Sequence, residues 1–146
     1  MPSFTISNES CKNKGLIVSA HVGVTDATEA ALHRDNLLVP APLPIEFKID
    51  TGADRSVITE TYIKRLGLKP VGSCNIATAS DPDMQCFEYA VRFIFPNNVA
   101  WQGAVIATPG NQITCLIGRD VLAYSVLVYI GYNNTCLLYT SPSPRD

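Results

Sequence analysis

Apolar and polar residues alternate in short runs along most of this chain, and this period of two restricts its fold more than any other feature. Residues 16–24 and 45–49 are the clearest such runs. Successive side chains of a β-strand point to opposite faces of a sheet, so strict alternation indicates half-buried strands. Further strands are predicted at residues 71–79, 86–95, 101–107, 112–117 and 125–130, and residues 57–58 are again apolar. The sequence therefore predicts a mainly β protein.

Helical signals are few and short. A helix is predicted over residues 26–36, with Asp26 as its N-cap and Glu29 three positions later. A second helix is predicted from a cap at Thr59 to a stop at Gly67, and a helical turn after residue 118. We expect these helices to be short additions to the sheet.

Length and composition exclude several classes of protein. The chain has 146 residues, of which 47% are hydrophobic and 16% charged, with a net charge of −2. These values are typical of one folded domain and unlike those of disordered chains. We expect no nucleic-acid partner because the chain is not basic, and no membrane partner because no apolar run reaches about 18 residues. The N-terminus does not resemble a signal peptide, so a cytoplasmic protein is expected.

The cysteines and histidines do not have the spacing of a metal site. The cysteines lack a C-x-x-C pair, and His21 and His33 are isolated from them. We therefore expect no metal ion and no cofactor, and interpret the cysteines as reduced and mostly buried thiols. The five cysteines are Cys11, Cys74, Cys86, Cys115 and Cys136.

The last eleven residues, 136–146, differ in character from the rest. They read CLLYTSPSPRD and resemble the translation of a sequencing adapter; a flexible Ser/Pro tail is the alternative. The predicted organisation is an N-terminal segment at 1–13, a C-terminally truncated domain at 14–135 and an adapter-derived artefact at 136–146. A further strand is expected after residue 134, where the adapter would begin.

Two short motifs carry the chemistry. Asp-Thr-Gly-Ala, residues 50–53, directly follows the alternating run at 45–49, and Ile-Gly-Arg-Asp, residues 117–120, ends a later apolar run. Between them lies a predicted hairpin at 74–87 with a turn-forming tip. The order of these features resembles the retropepsin family, the retroviral-type aspartic proteases and their bacterial relatives. The resemblance covers about residues 14–131.

The resemblance implies both a fold and an activity. The expected fold is a retropepsin-like acid-protease half-barrel, mainly β, with one to three short helices. The expected activity is aspartic endopeptidase, acting on a peptide or protein substrate through a water molecule between two carboxylates. Two carboxylates about 3 Å apart share one proton, so one can act as base and the other as acid. The chain contains a single Asp-Thr-Gly, so the resemblance implies a homodimer that contributes Asp50 twice.

The family motif also implies roles for individual residues around the catalytic Asp50. Thr51 matches the residue whose hydroxyl bonds across the dimer axis, and Gly52 the position where substrate backbone approaches. Ala53 is the small residue typical of retropepsins. Gly118 matches the glycine that packs under the catalytic loop.

Further positions concern the support of the loop and the flap. Asp54 and Arg119 match a pair that forms an ion pair beneath the site in retroviral members, and Asp120 is predicted to cap the following helix. The hairpin matches the flap, although it lacks the glycine-rich tip of many retroviral flaps. Its predicted tip residues are Ser80, Asp81, Pro82 and Asp83.

Two alternatives to a protease remain open at this point. One is a catalytically inactive member of the same fold that serves as a dimerisation or peptide-binding module, since a fold does not establish an activity. The other is an unrelated β-domain in which Asp-Thr-Gly is a chance turn and Asp50 an ordinary turn residue.

Overall fold

The computed structural model describes residues 3–8, 11–109 and 115–140. Over these ranges the chain is dominated by short strands, as the alternation predicts. The strands are β1 (Ser3–Ser7), β2 (Leu16–Gly23), β3 (Leu43–Ile49), β4 (Val57–Thr59), β5 (Gly72–Ile76), β6 (Met84–Ile94), β7 (Ala100–Thr108), β8 (Leu116–Ile117), β9 (Ser125–Ile130) and β10 (Thr135–Thr140). The helices are α1 (Cys11–Lys14), α2 (Asp26–Arg34), α3 (Glu60–Leu66) and α4 (Arg119–Leu122).

The strands form two sheets. The larger has the order β2-β3-β8-β4-β7-β6-β5, and an additional pairing of β2 with β6 closes its first six strands into a small barrel. The smaller sheet has the order β1-β10-β9. Within the barrel, β3 pairs with β8 and β4 with β7 in parallel, and the other neighbours are antiparallel. The predicted mainly β fold is confirmed.

The barrel core follows directly from the alternation in the sequence. In β3, the side chains of Ile45, Phe47 and Ile49 are buried and the residues between them are exposed. The ring of Phe47 packs against that of Phe93 from β6, with centroids 5.1 Å apart. A fully buried side chain of this size contributes about 1.5–3 kcal/mol to folding. Packing across the barrel therefore fixes the end of β3, where the Asp-Thr-Gly motif begins.

The strand expected after residue 134 is present, and it is formed by the residues that resemble adapter. β10 lies between β1 and β9, with Thr5 opposite Leu137 and Val128 opposite Leu137 on the other side. Cys136 and Leu138 are buried in the core. Residues 136–140 thus belong to the fold, because their alternating apolar side chains complete the second sheet. The adapter interpretation concerns their origin and stays a prediction, and residues 141–146 lie outside the described residues.

The helices differ from expectation in number and in one cap. Over the described ranges there are four helices rather than one to three. The additional helix is the four-residue α1, which ends before Gly15, a residue with a φ of 79°. The N-cap of α2 is Thr25 rather than Asp26: its hydroxyl accepts a hydrogen bond from the Thr28 N–H at 3.2 Å. The strand predicted at 112–117 is described only for β8, since residues 110–114 lie outside the described ranges.

Candidate active site

Asp50 lies where β3 ends, and its backbone is attached to the neighbouring strand. The register of the parallel pair places Ile49 beside Ile117, and the Asp50 N–H donates to the Ile117 carbonyl at 2.9 Å. The Ala53 N–H donates back to the Asp50 carbonyl at 3.2 Å and closes a turn over residues 50–53. The two motifs, far apart in sequence, are therefore joined by hydrogen bonds between β3 and β8.

The Asp50 carboxylate is half-buried and oriented by its own loop. Its Oδ1 accepts a hydrogen bond from the Gly52 N–H at 2.9 Å, while Thr51 and Gly52 are exposed. A Cβ at position 52 would lie 3.2 Å from this same Oδ1. The glycine thus leaves room beside the carboxylate that a side chain would fill.

Gly118 lies against the backbone of the same loop. A Cβ placed on Gly118 would be 2.7 Å from the carbonyl carbon and oxygen of Arg55 and 2.9 Å from the Ala53 oxygen. All three are backbone atoms, so no side-chain rotation can relieve the contact. The φ of Gly118 is −98° with extended ψ, a conformation open to any residue. Glycine is therefore required here for space and not for backbone freedom.

A buried hydrogen-bond network joins the two motif segments, and sequence reasoning did not identify its centre. Ser56 is fully buried: its N–H donates to Asp120 Oδ2 at 2.9 Å and its hydroxyl to Asp120 Oδ1 at 2.7 Å. The same hydroxyl accepts from the Gly118 N–H at 2.9 Å. The period of two could have identified Ser56, because it places Ser56 on the same buried face as Ile58 of β4.

The predicted ion pair between Asp54 and Arg119 is wrong within the part of the chain that the structure describes. Asp54 is exposed, and the Arg119 guanidinium instead donates to the Thr51 carbonyl at 2.8 Å. The Arg119 N–H also donates to the Ala53 carbonyl at 2.8 Å. The pair forms one residue later, between Arg55 Nε and Asp120 Oδ2 at 3.8 Å, because the turn after Ala53 directs Arg55 inwards.

The predicted cap by Asp120 also takes a different form. The N-cap position of α4 is Gly118, and Asp120 lies within the first turn. Its Oδ1 accepts from the Val121 N–H at 2.8 Å in addition to the Ser56 hydroxyl. A carboxylate in a first turn is favoured by the unpaired N–H groups there. Asp120 therefore stabilises the start of α4 while joining it to the loop.

The predicted hairpin is formed by β5 and β6. The two strands pair antiparallel, with Cys74 opposite Cys86. The connecting residues 77–83 form a turn held by the Thr78 N–H, which donates to the Asp81 carbonyl at 2.7 Å, and the Asp83 N–H, which donates to Asp81 Oδ1 at 2.9 Å. The tip residues Ser80, Asp81, Pro82 and Asp83 are all exposed.

The cysteines are all free thiols. Burial raises the pKa of Cys86, with a smaller contribution from the neighbouring Cys74. Burial likewise raises the pKa of Cys115, and that of Cys136 to about 11. No cluster of metal-ligating side chains occurs in residues 3–8, 11–109 and 115–140. Over the same ranges, no helix is long and apolar enough to cross a membrane.

Comparisons with known proteins give the family. A family model described as aspartyl protease matches residues 42–121, which include both motifs. The crystal structure of a retropepsin-like aspartic protease from Rickettsia conorii is 14% identical, with 96% of this chain and 93% of that chain covered at a TM-score of 0.53. EIAV protease complexed with the inhibitor HBY-793 is 22% identical over 55% of this chain and 75% of that chain, at a TM-score of 0.43. No curated protein matches the chain. The family match and the shared fold establish that the chain belongs to the aspartyl protease family, with a retropepsin-like fold.

Proposed function

We propose that this chain is an aspartic endopeptidase that acts as a homodimer, with Asp50 from each copy at one active site. The observation that carries the proposal is the Asp50 carboxylate at the end of β3, half-buried and oriented by the Gly52 N–H at 2.9 Å. It lies within the segment that matches the family model. The chain has one Asp-Thr-Gly, whereas the reaction needs two carboxylates of opposite protonation.

The surface around Asp50 supports a dimer about a two-fold axis. Thr51 and Gly52 are exposed, so another chain can reach the loop without unfolding it. The Thr51 hydroxyl has no hydrogen-bond partner among the described residues, which leaves it able to bond to the other copy. A two-fold axis brings the same residue of both chains together. Such an axis beside Thr51 would place the two Asp50 carboxylates face to face.

The chemistry follows from two carboxylates that share one proton. The ionised Asp50 acts as general base and removes a proton from a water molecule, which attacks the peptide carbonyl carbon. The protonated Asp50 of the other copy donates its proton to the carbonyl oxygen, giving a tetrahedral intermediate. The carboxyl that took the water proton then gives it to the leaving nitrogen, while the ionised carboxylate takes a proton from a hydroxyl of the intermediate, so the C–N bond breaks and the pair again holds one proton.

The hairpin of β5 and β6 serves, in this proposal, as a flap over the substrate. Its exposed tip at residues 80–83 is free to close over an extended peptide and exclude water. The role of Arg119 is to fix the loop by donating to the Thr51 carbonyl at 2.8 Å. Peptides with extended hydrophobic segments are the expected substrates.

Asp50→Asn tests the catalytic role, and Asp35→Asn is the matched control, because Asp35 is an exposed residue at the end of α2. We expect Asp50→Asn to lose peptide cleavage by about 1,000-fold, since both acid and base functions are removed, and to keep the sedimentation coefficient of the parent. Asp35→Asn should cleave at the parent rate. A statine-type mimic of the tetrahedral intermediate should inhibit the parent.

Two results would overturn the proposal. Equal cleavage by Asp50→Asn and the parent would show that the carboxylate is not catalytic. A parent that sediments as a dimer and binds peptides, yet shows no cleavage that depends on Asp50, would instead identify an inactive peptide-binding member of the fold.

A further inference from the structure

The Arg55 guanidinium contacts three separate segments of the protein around the active-site loop. Arg55 Nη1 lies 2.7 Å from Glu88 Oε1 on β6, and its Nη2 donates to the Ala104 carbonyl of β7 at 3.2 Å. Its Nε lies 3.8 Å from Asp120 Oδ2 in α4. Arg55 itself lies two residues after the turn that carries Asp50. The proposed peptide hydrolysis does not itself require these contacts.

The ion pair of Arg55 with Glu88 connects Arg55 to the β5–β6 hairpin, because Glu88 belongs to that hairpin. Glu88 pairs with Gly72, the first residue of β5, so it lies at the base of the hairpin. A Cβ at position 72 would be 2.6 Å from Glu88 Oε2, so the carboxylate lies across both strands. The Val71 N–H also donates to the Glu88 carbonyl at 2.8 Å. Any movement of Glu88 is therefore a movement of the hairpin base.

The backbone of Arg55 is as firmly held as its side chain. Its carbonyl group lies against Gly118, where even a methyl group would come within 2.7 Å. The next residue, Ser56, is fully buried in its network with Asp120. The side chains of the two ion-paired carboxylates, Glu88 and Asp120, are only 20% and 17% exposed. Partial burial reduces solvent screening and makes such a pair stronger than one on an open surface.

We propose that Arg55 is a positioning residue that holds the base of the β5–β6 hairpin in register with the loop that carries Asp50. A planar guanidinium with five fixed donors suits this role, since it can bond to several acceptors at once in one orientation. The hairpin tip remains free to move, while its base is held relative to Asp50. The consequence for substrate binding rests on the proposed protease function, whereas the mechanical connection does not.

Hydrogen–deuterium exchange tests the connection without requiring activity. In Glu88→Gln, which removes the charge but keeps the shape, we expect the amides of β5 and of residues 77–83 to exchange about fivefold faster than in the parent. Amides of β2 and β3 should be unchanged. The matched control is Glu60→Gln, which breaks a 3.3 Å ion pair to Lys64 on α3 and should leave the hairpin at the parent rate. In an Arg55→Met background, Glu88→Gln should cause no further increase in the exchange rate of the hairpin amides.

Kinetics with a cleavable peptide separate positioning from a merely structural role. Because Arg55 does not touch Asp50, we expect Glu88→Gln to raise KM about fivefold and to leave kcat within about twofold. Unchanged hairpin exchange in Glu88→Gln, or exchange that also accelerates in β2 and β3, would overturn the inference. Local acceleration with an unchanged KM in an active parent would overturn the positioning role. Absence of Asp50-dependent cleavage would refute only the protease proposal. Hydrogen–deuterium exchange would still test whether Arg55 holds the base of the hairpin.

Discussion

Gly118→Ala is the substitution for which the structure gives the most definite expected cost. The new methyl carbon would lie 2.7 Å from the Arg55 carbonyl carbon and oxygen and 2.9 Å from the Ala53 oxygen. Carbon atoms in good contact are about 3.5–4.0 Å apart, so the loop backbone has to move by several tenths of an ångström. Forcing one extra methyl group into a packed site costs about 1–3 kcal/mol.

The displaced loop also strains two short hydrogen bonds. The Arg119 N–H donates to the Ala53 carbonyl at 2.8 Å, and the Gly118 N–H to the Ser56 hydroxyl at 2.9 Å. Weakening one of them adds about 1 kcal/mol, so we expect a total loss of about 2–4 kcal/mol in the free energy of unfolding. Against a typical stability of about 5–15 kcal/mol, such a loss is large.

Urea denaturation at one fixed protein concentration measures this loss, since the stability of the proposed dimer would depend on concentration. Gly131→Ala is the matched control, because its Cβ would meet only side-chain atoms of Tyr129 at 3.5 Å or more. We expect Gly131→Ala to remain within about 0.5 kcal/mol of the parent. If Gly118→Ala were equally neutral, the inferred close packing of Gly118 under the loop would be wrong.

Three further predictions concern other parts of the chain. Ser56→Ala should lower the free energy of unfolding by about 1–3 kcal/mol in urea, because it leaves the buried Gly118 N–H unpaired and removes a hydrogen bond to Asp120 Oδ1; a neutral result would contradict the network. A hydrogen bond from Gln102, followed by one from Arg92, holds the pKa of Asp26 below its ordinary 3.8. The ionised Asp26 therefore stabilises the fold above pH 3.8, and this stabilisation is lost as the pH falls through the lower pKa of the folded state. The difference in free energy of unfolding between Asp26→Asn and the parent should be constant near neutrality and vanish in acid. A difference that stayed constant down to low pH would refute this. Burial raises the pKa of Cys136 to about 11, so at pH 8 iodoacetamide should alkylate it about 100-fold more slowly than an unperturbed thiol, and equal rates by mass spectrometry would count against its burial.

The sequence alone was sufficient for the fold class and for the place of the motif. Alternation identified β3 because Ile45, Phe47 and Ile49 all face one side, and period is a local property of the chain. The end of α3 was equally readable, since Gly67 adopts the left-handed conformation that its C-cap requires, with φ 66°. Asp50 follows β3 directly, so its position at a strand end was predictable too.

The local helix signals were less reliable where two candidates competed. Asp26 and Thr25 are both good N-caps, and the sequence does not say which side chain is occupied elsewhere. In the folded chain Asp26 is engaged by Arg92 of β6 and Gln102 of β7, which leaves Thr25 as the cap. Contacts with strands far away in the sequence therefore determine which residue caps α2.

The residues of the chain therefore determined where strands lie, which face of each is apolar, and that one Asp-Thr-Gly follows a buried strand. Only the tertiary structure decided which partners the polar side chains take around that loop. It placed Ser56 between Gly118 and Asp120. It also paired Arg55 with Asp120 and Glu88, where the family resemblance implied a pair of Asp54 with Arg119. The physical reason is that alternation is set by neighbouring residues, whereas an ion pair or buried hydrogen bond depends on the direction in which a turn sends each side chain into space shared by distant strands.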